Sequence, residues 1–187
     1  MEKKILSFLI RSEVIDEEKT EIYRYGLNIF IKKIIHILLF LVIGFIGGEF
    51  WGVFIFLVAY ASMREYSGGY HAKSVTGCYC CTIIVSICLL ILLNIFQRLD
   101  TYILYTMMLI CGYTIWSLSP QEADNNPLEE NEMVDYRKKT HKYLIGFGCI
   151  SLAGFFLNVI LKGISCAWII QTVMLLMSEI ERQKGNQ

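Results

Sequence analysis

The chain has 187 residues, of which 55% are hydrophobic and only 18% charged, against the roughly 25% charge usual in a soluble domain. Its 17 basic and 17 acidic residues cancel, so a basic surface for nucleic acid is excluded. The apolar residues fall in long uncharged runs, with a mean hydropathy of +0.50, which is the pattern of a polytopic membrane protein.

Residues 1–33 are mixed. Ile5, Phe8 and Leu9 fall at i, i+3 and i+4, so this cytoplasmic or interfacial segment is either a helix on the inner membrane surface or a solvated tail. No cleaved signal peptide is expected, because Arg11, Glu13, Asp16, Glu17 and Glu18 interrupt the first apolar run and no small-residue cleavage site follows. Residues 34–63 are expected to be a helical hairpin, Ile34–Gly48 and Phe50–Met63, turning at Gly47-Gly48-Glu49. A glycine-rich polar loop, 64–77, follows. Four further membrane helices occupy 78–177; their apolar runs are Val75–Phe96, Thr101–Ser119, Tyr143–Leu161 and Ile164–Met177. Between the second and third of these lies a polar cytoplasmic loop, 120–142, which holds both prolines, and residues 178–187 form a cytoplasmic tail. A span needs about 20 residues, so the shorter runs require local thinning of the bilayer or flanking residues. The expected architecture is thus all-α, a single membrane domain with about six membrane helices.

Charge placement orients it. With six spans and the N-terminus inside, 15 of the 17 basic residues lie in the inner segments 1–33, 64–74, 120–142 and 178–187, leaving only Arg98 and Lys162 outside. That is a strong positive-inside bias, and a five-span reading destroys it. Both termini are therefore expected in the cytoplasm, with the loop 64–77 at the cytoplasmic membrane boundary.

That loop carries the chemistry. Arg64-Glu-Tyr-Ser-Gly68-Gly69-Tyr-His71-Ala72 leads to Cys78 at the mouth of a span. A cysteine nucleophile acts as its thiolate, and a neighbouring imidazole can take the proton. On one continuous helix residues seven apart lie roughly 10 Å apart along the axis, so a His71–Cys78 pair requires the chain between them to fold back. Gly68, Gly69 and Gly77 can supply the backbone angles. The bland alternative is an interfacial histidine beside an unreactive cysteine. The cysteines at 88, 111, 149 and 166 read as small buried hydrophobes. His36 reads as interfacial, and His141, in the basic cluster 137–142, as solvated or facing headgroups.

The string Arg64-x-x-x-Gly68-Gly69-x-His71-Ala72 with Cys78 resembles the central motif of the accessory gene regulator B (AgrB) family of quorum-sensing membrane peptidases. Length, the multi-span layout and the loop Ser119-Pro120…Asn125-Asn126-Pro127-Leu128 match as well; Cys80 and Cys81 are no part of the resemblance. The resemblance implies a cysteine endopeptidase of the bacterial cytoplasmic membrane, without cofactor or metal. It would remove the C-terminal part of an AgrD-type propeptide and support cyclisation to a thiolactone or lactone autoinducing peptide. His71 would be general base and Cys78 nucleophile, and an acyl-enzyme thioester would hold the activated acyl group away from water. Arg64 would bind acidic propeptide groups or structure the loop, Gly68 and Gly69 would shape its backbone, and Glu65 could orient His71. The resemblance also points to a homodimer. The basic end of 120–142 is either a membrane-proximal anchor or a receptor for the acidic propeptide tail.

Two other classes compete. Cys78 and Cys81 form a C-x-x-C pair that a membrane thiol–disulfide oxidoreductase could use, although a second pair on the same side is lacking and the cytosol is reducing. A non-enzymatic peptide transporter is the other, although the spans hold few of the ionisable residues that mark a transport path. A zinc site is disfavoured because Cys80 and Cys81 are adjacent.

Overall fold

The computed structural model of the chain describes residues 20–70, 74–122, 129–154 and 157–185. Among them are six helices and no strand: α1 (Thr20–Ile46), α2 (Phe50–Ser67), α3 (Val75–Phe96), α4 (Thr101–Leu118), α5 (Glu130–Ala153) and α6 (Asn158–Gly185). Four of these contain stretches long and apolar enough to cross a membrane: Thr20–Ile46, Thr76–Phe96, Thr101–Leu118 and Asn158–Lys184. The chain is an all-α polytopic membrane protein, as expected. The other two helices fall short of such a stretch for a visible reason: α2 ends in Arg64 and Glu65, and the first half of α5 is charged.

The helix ends differ from the apolar runs in instructive ways. α1 spans Thr20–Ile46 rather than starting at Ile34, because helical backbone accommodates Arg24, Lys32 and Lys33, with Arg24 paired to Glu21 one turn away. Residues 130–142, expected as loop, are the first half of α5. Glu130 and Glu132 sit in its first turn, where the helix dipole favours negative charge, and the Glu132 carboxylate accepts the Glu129 N–H at 3.3 Å. The run 143–161 is cut at Gly154, whose N–H bonds the Ser151 carbonyl at 2.9 Å. Lys162 and Gly163, expected between spans, are inside α6. There Gly163 lies so close to α2 that a Cβ on it would stand 2.8 Å from Ile55 Cγ2, the kind of close approach that small residues permit between membrane helices.

Two compact units divide the chain, Met1–Phe40 and Leu41–Gln187. In the first, residues 20–40 of α1 carry exposed Ile22, Tyr25, Phe30 and Leu38 and an Arg24–Glu21 ion pair of 2.7 Å. In the second, α6 packs most extensively on α2 and α4, and also on α3 and α5. Phe56, Met63, Ile115, Leu161, Ile164 and Leu175 fill the centre. The outside is apolar too, with Ile84, Ile91, Leu109 and Ile150 exposed, which suits a hydrocarbon solvent.

The cysteines correct one expectation. Cys166 is buried and Cys111 half-buried, but Cys88 and Cys149 are exposed, and none of the seven is in a disulfide. In a lipid-facing bundle a small apolar side chain has no need of the interior. Contacts also sort the turns to two ends. Glu49 accepts a hydrogen bond from Gln97 at one end. At the other, the segment after α2 meets the end of α4 and the C-terminal half of α6.

Candidate functional site

α2 stops where Gly68 (φ 70°, ψ −152°) and Gly69 (φ 119°) turn the chain. Gly68 occupies a backbone region that is essentially restricted to glycine. A Cβ on it would overlap the Gln121 carbonyl, while one on Gly69 would overlap Arg64 Nη1. Arg64 lies just past the apolar stretch of α2 and curls over the turn. Its Nη1 donates to the Gly68 carbonyl at 2.5 Å and its Nη2 to the Tyr70 carbonyl. The half-buried guanidinium has the Tyr60 phenol and the Cys78 thiol within electrostatic reach. Burial works against its charge, and both neighbours favour it.

Other elements fix the same segment. The Gln121 N–H, just beyond α4, donates to the Ser67 carbonyl at 3.0 Å, and the Tyr70 N–H donates to the Met174 carbonyl of α6 at 3.0 Å. Gln171, fully buried in α6, donates through Nε2 to Ser67 Oγ at 2.6 Å and to the Gly68 carbonyl at 3.0 Å. Thus every residue from Ser67 to Tyr70 except Gly69 has a backbone group held from elsewhere.

α3 begins at Val75. Ser74 is its N-cap, in extended conformation; Ser74 Oγ accepts the Gly77 N–H at 3.0 Å and its carbonyl accepts the Cys78 N–H at 3.0 Å. Cys78 is therefore in the first turn of α3, and it is exposed. Cys80 is exposed and Cys81 half-buried. Glu65 is exposed at the end of α2.

The structure thus brings Arg64, Gly68, Gly69 and Cys78 to one end of the bundle. His71 lies outside the described residues, which stop at Tyr70 and resume at Ser74. Gln171, Gln121 and Ser74 escaped the sequence reading. For Ser74 a signal was available, a serine directly before an apolar run. Among the described residues, no three His, Cys, Asp or Glu side chains are grouped to hold a metal ion.

The neighbouring polar residues are also more engaged than expected. His141 is stacked on Trp116, with ring centroids 3.5 Å apart, and its Nε2 lies 3.3 Å from the Trp116 carbonyl. It is half-buried by this stack, because α5 is helical at this point and meets α4 there. Tyr66 meets Tyr136 edge-on and stacks on Tyr143, both at 5.6 Å, and Lys139 Nζ stands 4.9 Å from the Tyr66 ring centre. Lys139 thus ties α5 to α2 by a cation–π contact, while Arg137, Lys138 and Lys142 are exposed.

Comparison with known proteins gives the family of the chain. The model of the family described as accessory gene regulator B matches residues 2–175. An AgrB-like protein of Clostridium perfringens (strain 13 / Type A) is 22% identical over 176 residues, covering 92% of each chain. No solved structure matches. The match runs from the N-terminal segment through the loop and Cys78 to Gln171 and Met174, and the chain belongs to the AgrB family, which acts with the AgrD propeptide in processing the autoinducer of the agr quorum-sensing system.

Proposed function

We propose that the chain is a membrane cysteine endopeptidase of the bacterial cell membrane that cleaves an AgrD-type propeptide, with Cys78 as nucleophile and His71 as general base. The observation that carries this reading is the placement of Cys78, exposed in the first turn of α3, beside a loop anchored up to the residue before His71. The imidazole takes the thiol proton and the thiolate attacks the scissile carbonyl. The C–N bond breaks, and the amine leaves with the proton from the imidazolium. The propeptide's N-terminal part remains as a thioester on Cys78. A thiol or hydroxyl within that peptide then attacks the thioester carbonyl, the bond to Cys78 breaks, and a thiolactone or lactone ring is released with the enzyme thiol restored.

In this reading Arg64 structures the loop, since its hydrogen bonds go to the Gly68 and Tyr70 carbonyls, and it offers the thiolate a nearby positive charge. The cytoplasmic side is assigned from the basic inner segments. Arg137, Lys138 and Lys142, exposed at the same end, are the groups available to an acidic propeptide tail.

The test uses the purified full chain in detergent with the propeptide encoded beside its gene. Mass spectrometry should find a peptide adduct on Cys78 that is absent in Cys78→Ala and His71→Ala. Cys78→Ser and His71→Ala should abolish cleavage, while changes at Cys80, Cys81 or Cys88 leave it largely intact. No adduct and no cleavage, with the propeptide bound, would refute the dyad. Loss of function in Cys81→Ser would instead favour thiol–disulfide exchange.

A further inference from the structure

Cys78 shares the start of α3 with two thiols that the chemistry above does not use. Cys80 is exposed, Cys81 is half-buried, and neither is in a disulfide. An exposed thiol with a second thiol one helical turn away is the arrangement of a redox-sensing pair, in which one sulfur is oxidised and its neighbour resolves it.

The backbone that carries these cysteines is regular helix. The Cys78 N–H donates to the Ser74 carbonyl at 3.0 Å, and the Cys78 carbonyl accepts from Thr82 Oγ1 at 3.0 Å. Helix geometry therefore sets how the thiols stand to one another. Residues three apart differ by about 4.5 Å along the axis and about 60° around it, which puts the Cα atoms of Cys78 and Cys81 about 5 Å apart. A disulfide joins Cα atoms roughly 4.4–6.8 Å apart. The two side chains share a face, with Cβ atoms about 5–6 Å apart, and a bridge draws them to roughly 3.5–4.5 Å. That adjustment falls near the end of a helix that starts at Val75, where turns yield most readily. The other thiols of α3 are misplaced for it. Cys80 stands about 160° around the helix from Cys78, and Cys88 lies about 10 Å along the axis from Cys81. Cys80 and Cys81 are adjacent, with Cα atoms about 3.8 Å apart, below the disulfide range.

We infer that Cys78 and Cys81 form a peroxide-sensitive pair, closing to a disulfide within α3 that masks the proposed nucleophile. The Cys78 thiolate attacks hydrogen peroxide, the O–O bond breaks, hydroxide leaves, and Cys78 becomes a sulfenic acid. The Cys81 thiolate then attacks that sulfur. The S–O bond breaks, the S–S bond forms, and hydroxide leaves. With the two thiol protons, both hydroxides become water, so the thiols lose two electrons and the peroxide gains them. A bridge that pulls on helical backbone is easily reduced, and thiol reductants reopen it, as suits the transient disulfides of a reducing compartment. Without Cys81, Cys78 goes on to sulfinic acid, which thiols do not reverse. The masking rests on the reading of Cys78 as nucleophile, whereas the bridge does not.

The test uses full-length protein in detergent, reduced, freed of reductant and treated with hydrogen peroxide without propeptide. Remaining thiols are alkylated with iodoacetamide, and the fragment carrying residues 78–81 is weighed by mass spectrometry. Wild type, Cys78→Ser, Cys80→Ser and Cys81→Ser are compared. Propeptide cleavage is measured before peroxide, after it, and after dithiothreitol. Wild type and Cys80→Ser should lose two hydrogens and two alkylation sites on this fragment and regain them with dithiothreitol, while Cys78→Ser and Cys81→Ser form no bridge. Wild-type cleavage should be lost with peroxide and return with dithiothreitol. Cys81→Ser should cleave like wild type before peroxide, then lose cleavage for good, with two oxygens added to Cys78. A wild-type fragment that keeps its thiols, or a bridge that persists in Cys81→Ser, overturns the pair. A bridged protein that still cleaves overturns the masking and the nucleophile together. Untreated protein that fails to cleave a bound propeptide sinks the peptidase reading alone, and a bridge seen by mass then upholds the pair.

Discussion

Gly68→Ala is the sharpest probe of the loop. Gly68 has φ 70° and ψ −152°, a conformation that costs an alanine about 1–3 kcal/mol. The added methyl would also overlap the Gln121 carbonyl oxygen, with the carbonyl carbon at 3.0 Å and the amide nitrogen at 3.2 Å. Those are backbone atoms and cannot swing aside, so overpacking adds about 1–3 kcal/mol. The sum, about 2–6 kcal/mol, is a large part of the roughly 5–15 kcal/mol that stabilises a typical domain. Relaxation is possible only by breaking the bond from Gln121 N–H to the Ser67 carbonyl, which displaces the turn. Either way, the melting temperature in detergent should fall by roughly 5 °C or more, and propeptide cleavage should be lost. Gly146→Ala is the control. It lies inside α5 with nothing within 4 Å of an added Cβ, so it should leave melting unchanged or raise it slightly, since alanine is about 0.5–1 kcal/mol better than glycine in a helix. A Gly68→Ala protein that melts and cleaves like wild type would refute the geometry of the turn.

Gly69→Ala is strained as well, at φ 119°, and its methyl meets the end of Arg64 that bridges the Gly68 and Tyr70 carbonyls; both melting temperature and cleavage should fall, and an unchanged melt would contradict this. Arg64→Lys cannot bridge the Gly68 and Tyr70 carbonyls together, and losing one charged hydrogen bond costs about 1.5–3 kcal/mol. Cleavage assays should show at least a tenfold fall, and wild-type activity would mean that the bridge is dispensable. Ser74→Ala removes the cap that holds the Gly77 N–H, so melting should report a loss of about 1 kcal/mol that Ser74→Asp restores. Gly112→Ala would bring a methyl to 2.8 Å from the Trp168 ring; a cost of about 1–3 kcal/mol should appear in the melt and be relieved by Trp168→Leu.

The legible part of the fold was what local sequence controls. The ends of α3 and α4 were foreseen because uncharged runs there stop at a polar break, Gln97 to Asp100, and at Ser119-Pro120. α1 and α5 were foreseen too short because an apolar run marks what lipid or core requires, not how far helical backbone continues; Arg24 and Glu132 extend their helices through local charge and capping. At the site, Gly68, Gly69 and Cys78 were visible from residue type and spacing. The contacts of Gln171 with Ser67 and Gly68 were not, because they join residues more than a hundred apart, and no periodicity encodes such a pairing. His141 shows the same limit: its neighbours in sequence are charged, but its partner is Trp116 on another helix.

The unequal lengths of α4 and α6 carry a consequence of their own. α4 has 18 residues, about 27 Å of helix, and α6 has 28, about 42 Å. A hydrocarbon layer is about 30 Å thick. The shorter helix therefore ends near the headgroups, while its packed neighbour continues past them into water. Gln121, just beyond the end of α4, is bonded to Ser67, and Tyr70 leans on α6 through Met174, two residues past Thr172, which reaches the Cys111 carbonyl in the body of α4. In a bilayer that matches the length of α4, the turn bonded to Gln121 is expected at the headgroup level. Acyl-chain length becomes a control variable for this protein: thicker membranes submerge the turn, thinner ones lift it clear, and a peptide lying flat in the interface meets it from the side.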